Sequence, residues 1–267
     1  MFLNNATTTI AAGANLTFGS ASVFTQGAGT LAINAAGSFV MSGNTFHFNG
    51  GMVTGTPIHS DSALTIGAES TGAATFSTRR SSTLSGNIAV GQSVLVQSTG
   101  NATATLTAAA AFTNAGTLTL QTFDNGGASN LVVSSGTLTN AATGVINVKV
   151  GNGGGRVISA DLTNNGTVNF NSDANLSKPS GVFLNNATTN IAAEADLTFG
   201  AASVFTQGAG TLAINATGSF VMDSDTFNFN GGTVTGTPIL SDSALTIGAE
   251  STGAATFSTR QIGRAHV

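Results

Sequence analysis

The chain has 267 residues, of which 7% are charged, 35 are Gly and none is Cys, Trp or Tyr. A net charge of −4, with no basic run longer than Arg79-Arg80, excludes the electrostatic footprint of a nucleic-acid binder. The lack of Cys excludes a disulfide scaffold and Cys-ligated zinc, and the β-branched and Phe content separates the chain from a disordered segment.

Phe2 to Arg79 return as Phe183 to Arg260, 181 residues further on, with eleven differences: Thr9/Asn190, Gly13/Glu194, Asn15/Asp196, Ser20/Ala201, Ala36/Thr217, Ser42/Asp223, Gly43/Ser224, Asn44/Asp225, His47/Asn228, Met52/Thr233 and His59/Leu240. No Phe changes, and Met52 is the one large apolar residue exchanged for a polar one. An apolar skeleton held constant under a drifting polar skin is the mark of a structural repeat. The domain reading is one continuous unit over residues 1–260, with the repeat 2–79 duplicated as 183–260 and middle coils over 80–182.

In chain order, short alternating segments come first: Leu16-Thr-Phe18, Leu31-Ala-Ile33, Phe46-His-Phe48, Leu64-Thr-Ile66, Val94-Leu-Val96 and Leu118-Thr-Leu120. Period-2 alternation points one set of side chains inward and leaves Thr or Asn outside. Asn-Gly, Gly-Gly and Ser-Gly clusters between them supply tight corners. Ala108 to Ala111 is the nearest helical candidate and is too short. A degenerate phrase starts at Phe112, Leu138, Leu162, Phe183 and Phe205, giving an inner period of twenty-odd residues, the range of solenoid coils. The expected fold is all-β, a parallel β-helix (β-solenoid) with coils of roughly 20–26 residues. Each Phe or Leu should lie over a Phe or Leu one coil away, and each Asn over an Asn.

No run approaches the roughly 18 apolar residues of a spanning helix, and the N-terminus has no signal-like stretch. Met1 aligns with Val182, so the expectation is an internal fragment that begins at a valine codon read as a start. Residues 261–267 break the repeat register and resemble a translated sequencing adapter, which marks them as a non-native tail.

Histidine is the first place to look for catalysis or metal binding. His47 and His59 become Asn228 and Leu240 in the second copy and His266 lies in the tail, so all three read as incidental surface residues. Among carboxylates, Asp61 and Glu69 persist as Asp242 and Glu250, whereas Asp223 and Asp225 replace Ser42 and Asn44. Asp61, in Pro-Ile-His-Ser-Asp-Ser, reads as a turn cap, and Asp223-Ser-Asp225 lacks the Gly and distal Glu of a calcium loop. Gly151-Asn-Gly-Gly-Gly155 before Arg156 lacks the Lys-Ser/Thr of a phosphate loop and reads as a flexible corner. Seven Asn-x-Ser/Thr triplets, from Asn5 to Asn215, are those expected by chance in a chain of this composition. Thr103/Thr105, Thr117/Thr119 and Thr137/Thr139 raise an ice-binding reading, which needs one flat array repeated coil after coil. No catalytic, cofactor-binding or metal residue is assigned.

The Leu-Thr-Asn-x-Gly-Thr-Leu phrases and the Gly/Thr/Asn/Ala bias resemble bacterial secreted β-strand-repeat proteins, the group of autotransporter passenger domains and filamentous-haemagglutinin-like adhesins. That resemblance implies a right-handed β-helix, an extracellular or cell-surface location, and a structural or adhesive, non-catalytic role. Implied partners are host or environmental surfaces, glycans or neighbouring copies. The alternative in another class is a polysaccharide-degrading β-helix enzyme, which calls for clustered acidic and basic residues on adjacent coils.

Overall fold

The computed structural model describes residues 1–124, 126–249 and 251–260, and the adapter-like tail, His266 and Glu250 lie outside them. Among the described residues all regular structure is strand, and every pairing between strands is parallel. The chain winds as a three-faced solenoid, so strands stack in three columns. Among the described residues one column carries thirteen strands, from Phe2–Asn4 to Ser258–Arg260, and so spans twelve turns. A second has eleven strands, from Asn15–Thr17 to Thr233–Thr235. The third starts with Thr7–Ile10, Thr30–Ile33 and Met52–Thr54, and resumes from Phe112–Asn114 to Ala244–Ile247. At about 4.8 Å per rung, twelve turns make a rod about 58 Å long.

The alternation read from sequence is realised strand after strand. Val23–Gln26, Thr30–Ile33 and Thr45–Phe48 each bury every second residue, and Phe24, Leu31, Phe46 and Phe48 are fully enclosed. The five phrase starts stack in one column, Phe112 over Leu138, Leu162, Phe183 and Phe205. Coil length varies more than expected. It falls to 18 residues from Phe46 to Leu64 and reaches 28 from Leu118 to Ile146. The 27-residue coil from Leu131 to Ile158 carries the Gly151–Gly155 loop at a corner, where extra chain does not disturb the ladder.

Corners require close backbone approach. A Cβ on Gly51 would sit 2.0 Å from the Gly29 carbonyl oxygen one coil below, and one on Gly232 would sit 2.4 Å from that of Gly210. Both copies therefore keep Gly there. Other corners hold positive φ without Gly, among them Ala36 (φ 59) and its counterpart Thr217 (φ 66). A β-branched residue is poorly suited to this region, whereas Asn enters it readily. Thr217→Asn should raise stability by about 1 kcal/mol, read as a shift in the urea midpoint with unchanged slope.

The two copies do not lie on the same faces. Nine steps along the first column lead from Phe2–Asn4 to Asp196–Phe199, which is the counterpart of Asn15–Thr17. The counterpart of Phe2–Asn4 is within Val182–Asn185, and it stands in the third column, on Asp161 to Asn164. From there to Asp196 the chain crosses two faces, so 181 residues advance eight and one-third turns. The second copy is therefore turned by one face about the rod axis. The shift arises where Ser81–Ser85 stacks on Ala104–Ala108, leaving Phe112–Asn114 to open the next face.

Candidate functional surface

Interior polar groups come first, because they set what remains for the surface. The third residue of each phrase points inward and builds a ladder: Asn114 Nδ2 donates to Asn140 Oδ1 (2.8 Å), Asn140 to Asn164 (2.8 Å), Asn164 to Asn185 (2.9 Å), and Asn185 to Gln207 Oε1 (2.9 Å). Each Asn Nδ2 also donates to a corner carbonyl, of Val145, Thr167, Thr188 and Thr211 in turn. Asn4 and Gln26 repeat the motif at 2.8 Å. A buried amide needs such partners, and stacking supplies them one coil away.

A second, outward ladder lies on the second column. Asn169 Nδ2 donates to Asn147 Oδ1 (3.0 Å) and Asn190 Nδ2 to Asn169 Oδ1 (2.9 Å), all half-buried. Beside it runs a row of Val145, Thr167, Thr188, Thr211 and Thr233 in register. The expected Thr pairs divide among the faces. Thr105 stands on the first column, Thr117 and Thr119 on the second, Thr139 on the third. Variation in coil length is taken up at corners, so the Thr and Asn rows of the second column stay in register in spite of it.

Charged groups gather around one groove of about 300 Å³, lined by Arg156, Asp173, Asn175, Asp196 and Thr198 on successive coils. The Arg156 guanidinium is turned from it into the Gly-rich corner. Its Nε donates to Lys149 O (3.1 Å), Nη1 to Gly154 O (2.9 Å), and Nη2 to Thr122 Oγ1 (2.9 Å) and Gly151 O (3.2 Å). The Gly151–Gly155 corner thus offers carbonyls to a cation of its own chain, the reverse of an anion cradle. Burial lowers the Arg156 pKa, with Asp173 working against that shift. Asp173 Oδ1 accepts the Asp196 N–H (3.0 Å), and Asp196 Oδ1 accepts the Ser219 hydroxyl (2.5 Å). In the first copy Asn15 Oδ1 accepts from Ser38 in the same way (2.6 Å), so an amide does what the carboxylate does.

The same comparison applies to Asp225, whose Oδ1 accepts the Ser203 N–H at 2.7 Å as Asn44 Oδ1 accepts that of Ser22 at 2.7 Å. Burial raises the Asp225 pKa against the hydrogen bonds from Ser203 and Asp223. Burial also works to raise that of Asp161, but the Lys178 ammonium (2.7 Å) and the Val182 N–H outweigh it and the net shift is downward. Asp61 accepts the Ser81 N–H at 3.1 Å, capping a turn on the next coil, and Asp223 is exposed at its strand end. Glu69 is exposed.

His59 corrects the surface reading. It is fully buried and packs against the Phe46 and Phe76 rings, at 5.1 and 5.7 Å, in a three-ring cluster, while His47 is half-buried and points outward. Ile58–Ser60 inverts the expected polarity, with His59 inward and Ile58 and Ser60 half out. Leu240 at the same place in the second copy, 1% exposed, is the sequence signal for an inward position.

No helix among the described residues is long and apolar enough to cross a membrane. No protein-family model matches the chain, and neither a curated protein nor a solved structure matches it.

Proposed function

We propose that this chain is a structural and adhesive rod, a non-catalytic repeat region of a larger secreted or surface-displayed bacterial protein. The carrying observation is the duplicated unit wound into one continuous solenoid with its second copy turned by one face. Duplication of this kind lengthens a rod and multiplies any weak contact it makes, and linked weak contacts give avidity. Turning each copy by one face distributes those contacts around the axis. A Thr- and Asn-rich outer face of low charge suits hydrogen bonding to glycans, host or environmental surfaces, or neighbouring copies.

The competing reading, a polysaccharide-degrading enzyme, draws on the Arg156, Asp173 and Asp196 groove. Against it, Arg156 is engaged by backbone carbonyls, and Asn15 takes over the hydrogen bond of Asp196 in the first copy. Purified protein coupled to beads and challenged with mucin, chitin, cellulose and acidic polysaccharides tests both. Retention on at least one polymer without release of reducing ends is expected. Release of reducing ends or of unsaturated uronides, lost in Asp173→Asn, would overturn the non-catalytic reading.

A further inference from the structure

His59 stands over Met41 on one rung and under Thr78 on the next, with its ring plane at 72° to that of Phe46. It is 0% exposed, and neither Nδ1 nor Nε2 has a hydrogen-bond partner. A neutral imidazole carries one donor and one acceptor, so both are left bare in the core. Protonation there would add an unpaired charge. The titratable groups on the surrounding strands and turns give it no counter-ion. Asp61 bonds the Ser81 N–H, Arg79 reaches Gln97 Oε1 (3.2 Å), Arg80 is exposed, and His47 points outward on the strand of Phe46. Since Leu240 fills this place in the second copy, the fold does not require the imidazole.

We propose that His59 makes the coil of residues 57–80 an acid-labile joint: below neutral pH the imidazole gains a proton by leaving the core, and this coil opens while coils without a buried His stay wound. Such a joint would act as a built-in site of extension or cleavage in acid surroundings.

Burial lowers the His59 pKa from 6.5 to about 3. The open coil therefore binds a proton below pH 6.5, and the closed coil does not until about pH 3. Stability from the buried neutral ring is complete above 6.5 and is lost as pH falls from 6.5 toward 3, tenfold in the opening equilibrium per pH unit.

Hydrogen exchange of the full chain at pH 7 and 4.5, corrected for intrinsic rates, tests this in the wild type and in His59→Leu. Amides of Ser77, Thr78 and Arg79 should open about 70-fold more often at pH 4.5 in the wild type, with no such change in His59→Leu. The NMR shift of the His59 ring should show no titration between pH 5 and 8 in the folded protein. Equal acid response in both proteins, or a folded-state titration near 6.5, would overturn the proposal. Because Leu is the second copy's own residue, loss of folding in His59→Leu would also count against it.

Discussion

Replacing Asn164 by Ala should destabilise the rod by about 4 kcal/mol, whereas Asn169→Ala on the outward ladder should change stability by about 0.5 kcal/mol. Both residues sit in chains of side-chain amides with spacing near 3 Å, so the chemistry is the same and burial decides. Asn164 Oδ1 accepts from Asn140 (2.8 Å) and from the Gly166 N–H (3.1 Å), and its Nδ2 donates to Asn185 (2.9 Å) and Thr188 O (2.9 Å). Its removal orphans two or three buried groups at about 1–3 kcal/mol each. Asn169 and its partners lie at the surface, where water replaces what is lost. Urea unfolding of the two variants measures the difference, and hydrogen exchange should place the damage in coils 140–190, because a solenoid transmits it mainly to nearest neighbours. Equal effects for the two substitutions would mean that the inner ladder is wet.

Phe205→Ala should cost about 3–5 kcal/mol, and Phe205→Leu about 1 kcal/mol. The ring is fully buried, with neighbours Phe183 at 5.0 Å, Phe220 at 5.0 Å and Phe227 at 5.1 Å. Ala opens a cavity among rings that are tied to their own rungs and cannot collapse into it. Leu already occupies this column at Leu138, Leu162 and Leu245, so the coil geometry accepts it. Thermal unfolding of the two variants reads the contrast. A loss in Phe205→Leu as large as in Phe205→Ala would show that the edge-to-face ring contacts, rather than filled volume, hold the stack.

Much of this architecture is written in local pattern. Phe112, Leu138 and Leu162, each followed by Thr-Asn, announce a stack of apolar residues beside a stack of amides, because parallel in-register pairing puts like over like. The rotation between copies is not legible in the same way. It depends on which strand Ser81–Ser85 lies under, and that is set by corner geometry over the 18- and 20-residue coils after Phe46, where no phrase marks the start. Arg156 follows a Gly run that reads as a plain corner, and only the fold brings Lys149, Gly151 and Gly154 carbonyls around its guanidinium. His59 is hidden by its turn-like neighbours Pro57 and Asp61, although Leu240 in the second copy marks the position as inward. The groove at Asp173 and Asp196 depends on two coils in register, 23 residues apart, and has no contiguous signature.

The turn of one face between copies is tested most directly by cross-linking in a chain that has no Cys of its own. In the structure Thr83 lies against Thr107 on the next rung, while Thr113 stands on another face. A Thr83→Cys/Thr107→Cys double variant should therefore join efficiently through a short thiol cross-linker, and Thr83→Cys/Thr113→Cys should not. Efficient joining in the Thr83→Cys/Thr113→Cys variant, with none in Thr83→Cys/Thr107→Cys, would mean that each face continues without rotation, and would contradict the eight-and-one-third-turn unit.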